Sequence, residues 1–180
     1  MTNPVVLIQR LHQHQAWVTE NLLNAASRLS EEQLRQSFPI GQGSVWMSLL
    51  HLYAAEFVWL EALQGHEDPV VRGDLRGRIP GNQLGEGGVA SLDELRREWD
   101  ELARRWDRYV AELSPDALDQ TVYKIVSSTG QRLATQRADV LLHVCTHAHY
   151  TAAQIVNMLR HLGVEKLPDT MLITLARQGR

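Results

Sequence analysis

The chain has 180 residues, one cysteine and a formal net charge of −3, with 44% apolar and 22% charged residues. This length fits one domain, residues 1–180, that is large enough to bury a core. The acidic balance argues against nucleic-acid and membrane partners, and a single cysteine excludes an internal disulfide framework. No segment resembles a signal peptide or a transmembrane span, so a cytoplasmic protein is expected.

The first of four segments with helical periodicity covers residues 5–28. Its apolar side chains recur every three or four residues, a spacing typical of a helix with one buried face. Leu7 and Leu11 lie on this predicted stripe. His14 takes a place in the stripe where an apolar residue is expected.

The second helix is predicted over residues 44–65 and is apolar on most sides, as expected of a central, buried helix. Residues 65–90 then lose the helical period and contain seven of the twelve glycines. Long irregular connections are uncommon in compact domains and are usually functional or mobile. We therefore interpret this segment as a loop that covers a pocket.

The third helix is predicted to start at Ser91, with Glu94 completing a capping box, and to end before Pro115. Its alternating charges are typical of a solvated helix face and not of a nucleic-acid patch. Residues 120–136 place β-branched side chains around a Ser-Thr-Gly turn, which predicts a short β-hairpin. A fourth helix is expected over residues 136–161. Together these segments predict an all-α four-helix bundle with a long connection between its second and third helices.

Histidines mark one region of the predicted bundle. His143 and His147 are four residues apart on the fourth helix, so they project from one face, one turn apart. His51 lies alone in the apolar second helix. Neutral imidazole binds zinc, nickel, iron and copper, and bundles build metal sites from facing helices. All three are candidate metal ligands, and a hydrogen-bonded core position is the alternative for His51.

The remaining polar and aromatic residues have simpler interpretations. His149 projects from another face and is expected at the surface, whereas Cys145 is expected to be a buried, inert thiol. His14 is a further candidate for the histidine cavity. The five tryptophans are expected in the core, with one or two lining a pocket.

Three stretches of the chain resemble the DinB/YfiT-like superfamily of helical bundles. HQAWVTENLL resembles its first helix, and SVWMSLLHLYAAEFVWLEAL resembles its second, with His51 at the metal-ligand position. TVYKIVSSTGQRLATQRADVLLHVCTHAHYTAAQIVNMLRHLG resembles its hairpin and fourth helix. The resemblance implies a divalent metal, zinc or nickel foremost, held by three histidines. It also implies a low-molecular-weight thiol as co-substrate, thiol transfer to small electrophiles or a related hydrolysis, a homodimer, and a link to stress response.

The fourth helix departs from the family pattern at one position. Relatives often read His-x-x-x-His-Arg-x-Gln-Ile, and counting back from Gln154 places Thr151 at the second histidine. One outcome is a site moved by one turn, ~6 Å along the axis, that uses His51, His143 and His147. The other is a lost ligand, which predicts a metal-free member that binds a small molecule or a protein.

Overall fold

The computed structural model describes residues 3–178, which form six α-helices, one 3₁₀ turn and one two-stranded antiparallel sheet. The elements are α1 (Pro4–Ala26), α2 (Glu31–Arg35), α3 (Val45–Leu63), α4 (Leu92–Ala111), the 3₁₀ turn Pro115–Asp119, β1 (Thr121–Ile125), β2 (Arg132–Gln136), α5 (Arg137–His161) and α6 (Leu172–Gln178). The prediction of a helical bundle with a hairpin before the last long helix is confirmed.

The four long helices α1, α3, α4 and α5 form the bundle. Helix α5 packs against α1 and α3, and α4 packs against the same two helices. Helices α1 and α3 therefore occupy opposite corners, and α3 is buried over most of its circumference. None of the helices in residues 3–178 combines the length and apolar character that crossing a membrane requires.

The predicted buried stripe of α1 was wrong at its N-terminal end. Leu7 is 56% exposed, whereas Ile8 and His12 are buried. The buried face continues through Gln15 and Thr19, at three- and four-residue spacing. Further along the helix the predicted stripe is buried, as at Val18 and Leu22, so the error is confined to the first turns, where polar side chains share the buried face.

Serine side chains fix the starts of the bundle helices. Ser44 and Ser91 each accept a hydrogen bond from the backbone amide three residues further on, which satisfies one of the free amides of the first turn. The capping box predicted at Ser91 is incomplete, because the Glu94 carboxylate accepts from the amide of Ala90 at 2.9 Å. Glu94 also pairs with Arg72 and so attaches the preceding loop to α4.

The connection between α3 and α4 has a hydrogen-bonded scaffold of its own, although residues 64–90 form no helix or strand, as predicted. The Asp74 carboxylate accepts from the backbone amides of Gly81 and Gln83, at 2.6 and 2.9 Å. The Gln83 side chain donates to Asp74 and accepts from the amide of Val89. The loop is thereby held in one conformation against α3.

Candidate functional site

The three candidate histidines line one pocket of about 270 Å³. His51 projects from α3, and His143 and His147 project from the adjoining face of α5. The loop 64–90 and the β-hairpin provide the remaining walls, as the interpretation of that loop as a cover predicted. We call this cavity the histidine pocket. It is slightly smaller than most ligand pockets, which span about 300–1,000 Å³.

His51 and His147 are in direct contact. Their Nε2 atoms are 3.1 Å apart, and their rings meet edge to face. The Nδ1 atom of His51 lies 2.8 Å from the carbonyl oxygen of Pro80, to which it donates. In the tautomer with the proton on Nδ1, the Nε2 lone pair of His51 faces His147. Two nitrogens bound to a tetrahedral zinc at about 2.0–2.1 Å are ~3.3 Å apart, so the pair fits two ligands of one ion.

His143 lies beside this pair without joining it. Its ring centroid is 5.8 Å from that of His147 and 5.3 Å from that of Trp59, against which it packs edge to face. Across residues 3–178, no group of three or more His, Cys, Asp or Glu side chains is arranged to hold a metal ion. The pocket therefore contains two assembled nitrogen donors and a third donor one helical turn away.

Thr151 does not line the histidine pocket. Its side chain is 1% exposed and packs inside the bundle. The position at which many relatives carry a histidine therefore faces the core in this chain. Of the candidate residues, His51, His143 and His147 line the histidine pocket.

The candidates His14, Cys145 and His149 line a different pocket, which shares no residue with the histidine pocket. His14 is buried, but its Nε2 lies 2.9 Å from the carbonyl oxygen of Thr170, outside the histidine pocket. His149 is exposed, as predicted. Cys145 is buried, and burial, together with the Glu56 carboxylate, raises the pKa of its thiol to about 12. The Cys145 thiol is therefore protonated and inert at neutral pH, as predicted.

The electrostatics of the pocket favour neutral imidazole. Burial, together with the adjacent His51 and His143, lowers the pKa of His147 to about 4. His147 is therefore uncharged at neutral pH. This is the protonation state in which an imidazole binds a metal, because the coordinating lone pair must be free.

Cationic side chains accompany the histidines. Lys124 of β1 lies directly opposite Leu133 of β2, and both side chains line the pocket. The Lys124 ammonium is 5.4 Å from the centre of the Trp59 ring, and burial lowers its pKa. Arg78 of the loop also lines the pocket, and none of the described lining residues is acidic. This wall therefore favours an anionic group on any ligand.

Two residues that support the site were not identified from the sequence. Pro80 supplies the carbonyl that orients His51, and Gly81 lets the loop approach α3 closely enough for that bond. Gly81 has φ +83°, and a Cβ there would lie 2.6 Å from the Cα of His51 and 2.7 Å from the carbonyl oxygen of Leu50. Only the glycine richness of the loop indicated such a close approach.

Replacing Gly81 by alanine is expected to destabilise the protein more than replacing Gly77. Both have positive φ, but nothing lies within 4 Å of a Cβ at Gly77. Gly77→Ala therefore measures only the loss of unfolding free energy that comes from a positive φ at a residue other than glycine. Gly81→Ala adds a clash with α3, worth about 1–3 kcal/mol of unfolding free energy. Urea denaturation of both variants measures the difference, and equal stabilities would contradict the close packing.

The solved structures that resemble the fold include the following two. One is YfiT from Bacillus subtilis, described as a probable metal-dependent hydrolase with an unusual four-helix bundle topology. It has a TM-score of 0.62 and 18% identity and covers 87% of each chain. The other, from Exiguobacterium sibiricum and described as a putative member of the DinB family, has a TM-score of 0.62 and 14% identity. It covers 95% of this chain and 99% of its own. At these identities the likeness shows the fold alone.

Sequence comparison supplies the family. No curated protein matches the chain. The family model of the DinB superfamily matches residues 14–155, a range that includes the three histidines of the pocket and most of the chain. The chain therefore belongs to the DinB superfamily, as the resemblance in its second and fourth helices predicted.

Proposed function

We propose that the histidine pocket binds one divalent metal ion, zinc or nickel, and that the protein is a metal-dependent thiol S-transferase or a related hydrolase acting on small electrophiles. The observation that carries this proposal is the His51–His147 pair, whose Nε2 atoms are 3.1 Å apart. The description of YfiT as a probable metal-dependent hydrolase supports it.

His143 is the proposed third ligand. It lies one turn from His147 on the same face of α5, and its side chain is exposed. Exposed side chains change rotamer readily, on a picosecond to nanosecond timescale. Rotation away from Trp59 would turn the His143 imidazole towards the pair, so that the site uses His51, His143 and His147.

The surrounding residues have separate roles in the proposed reaction. When bound, a divalent ion lowers the pKa of the thiol or water that it holds, which supplies a nucleophile at neutral pH. Pro80 keeps the proton of His51 on Nδ1. Lys124 attracts the anionic part of a thiol co-substrate, and the apolar side chains of Trp59 and Leu133 limit access of water to the pocket.

Metal reconstitution tests the proposal directly. The protein is purified without a histidine tag, stripped with a chelator, and incubated with zinc or nickel. We expect about one ion per chain by mass spectrometry, together with thiol-dependent consumption of a chromogenic electrophile that requires the metal. Metal content that stays well below one ion per chain after reconstitution would exclude the proposal.

A metal-free, ligand-binding member of the family is the second candidate function. It is favoured by the lack of an assembled three-ligand group among the described residues and by the burial of Thr151. Thermal-shift measurements separate the two functions. Stabilisation by non-thiol ligands alone supports this second function, whereas stabilisation by zinc or nickel supports the first. The homodimer and the link to stress response stay predictions.

A further inference from the structure

A second cavity, of about 400 Å³, lies between α1 and α4. We call it the α1–α4 groove. It shares no lining residue with the histidine pocket. Its volume lies within the range of small-molecule sites. The groove has no part in the proposed metal chemistry, so its lining residues require a separate explanation.

Three hydrogen-bond acceptors without partners belong to residues that line the groove. They are His12 Nε2, Gln15 Oε1 and Glu56 Oε1. The side chains of His12 and Glu56 are nearly inaccessible to solvent, at 7% and 5% exposure. Buried polar atoms in native proteins are almost always hydrogen-bonded, so such a cluster indicates a missing partner.

The state of each acceptor follows from its other contacts. Burial lowers the pKa of His12 to about 4, so the ring is neutral at pH 7 and Nε2 can accept a hydrogen bond. Trp99 donates its indole N–H to Glu56 Oε2 at 3.2 Å. Glu56 Oε1 and Gln15 Oε1 have no hydrogen-bond partner. One N–H donor, Trp106 Nε1, is also without a partner.

The charged side chains that line the groove determine whether a cation or an anion is favoured there. Four acidic side chains line it, and no lysine or arginine does. Glu20 is paired with Arg96, but neither Asp100 nor Asp107 forms a salt bridge within residues 3–178. An anion is disfavoured in such surroundings and a cation is favoured.

We propose that the α1–α4 groove binds a small primary ammonium ligand. An ammonium group has three N–H donors and no acceptor, which matches the three free acceptors of His12, Gln15 and Glu56. Trp106 Nε1 then donates to a neutral oxygen of the same ligand. The ligand class is therefore a small amino alcohol or a related amine with a nearby oxygen.

Calorimetric titration of the metal-free protein tests the groove. The probes are 2-aminoethanol, propylamine and propan-1-ol, which have similar sizes and differ in their ammonium and hydroxyl groups. We expect 2-aminoethanol to bind with a Kd on the order of 1–10 mM, propylamine to bind more weakly, and propan-1-ol not to bind. Absence of amine binding, or equal binding of propan-1-ol, would overturn the proposal. Since no metal is present, neither result depends on the function of the histidine pocket.

Variants identify the groove as the place of binding. Glu56→Gln keeps the side-chain shape and removes the carboxylate, so we expect about a 10-fold or greater loss of 2-aminoethanol affinity. Glu101→Gln removes an exposed carboxylate of α4 outside the groove and should bind as the wild type does. Trp106→Phe should remove the preference for 2-aminoethanol over propylamine. Unchanged affinity in folded Glu56→Gln protein would refute the assignment, and Asp107→Asn provides a second, surface-exposed test of the charge.

Discussion

Replacement of His147 by alanine is expected to reduce the affinity for zinc or nickel by on the order of 100-fold or more. Loss of an outer-shell partner of a metal ligand already costs about 10–100-fold. His147 would be a ligand itself, with its Nε2 facing that of His51 across 3.1 Å. Competition with a chromogenic chelator, on untagged protein, measures the affinity.

Histidines elsewhere on α5 provide the control for this experiment. His149 lies on the same helix, is exposed, and does not line the pocket, so His149→Ala should bind metal like the wild type. His143→Ala tests the third ligand and should weaken binding as well, though the pair of His51 and His147 is retained. If His147→Ala and His149→Ala bind metal equally, the histidine pocket is not a metal site.

Glu56→Gln is expected to make the protein more stable at alkaline pH. Burial raises the pKa of Glu56 to about 7 in the folded protein, against 4.5 in the unfolded chain. The unfolded chain releases this proton first as the pH rises, so ionisation of Glu56 costs stability between pH 4.5 and 7. At 1.36 kcal/mol per pKa unit, the loss reaches about 3 kcal/mol above pH 7. A neutral amide at this position avoids the loss.

The difference between variant and wild type isolates this effect. Burial lowers the pKa of His12 to about 4, so His12 stabilises the fold above pH 6.5 and this contribution is lost as the pH falls towards 4. The effect of His12 on stability has the opposite pH dependence to that of Glu56. It is present in both the wild type and Glu56→Gln, so it cancels in their difference. Urea titrations should therefore give similar stabilities near pH 4.5 and a gap that opens to about 3 kcal/mol by pH 8. A pH-independent gap, or the same gap in Glu101→Gln, would contradict a buried carboxylate at Glu56.

The sequence predicts those parts of the fold that depend on neighbours along the chain. Ser44 and Ser91 mark helix starts because a cap needs only a side chain and the amide three residues on. The hairpin follows from β-branched residues around a turn. The buried face was misplaced only in the first turns of α1, because His12 and Gln15 are buried by neighbouring helices and the sequence does not show which helices surround them.

The same distinction applies to the candidate site. The shared face of His143 and His147 follows from helical geometry, and His51 was identified because it interrupts an apolar helix. The contact between His51 and His147 depends on how α3 and α5 align. Neither Pro80 nor Gly81 carries a recognisable signal, since a backbone carbonyl contributes no side chain to the pattern. Glu56 in the same apolar helix was an equally clear irregularity, and its significance depends on the groove that it lines.

The loop 64–90 has one part that Asp74 holds in place and another part that lines the histidine pocket. Asp74 fixes the backbone at Gly81 and Gln83, directly after the Pro80 carbonyl that accepts from His51. Of residues 76–79, Arg78 and Ile79 line the histidine pocket. A combinatorial library over residues 76–79 that retains Asp74 and Gly81 would therefore vary the preference of the pocket for its ligand while the imidazole pair keeps its alignment.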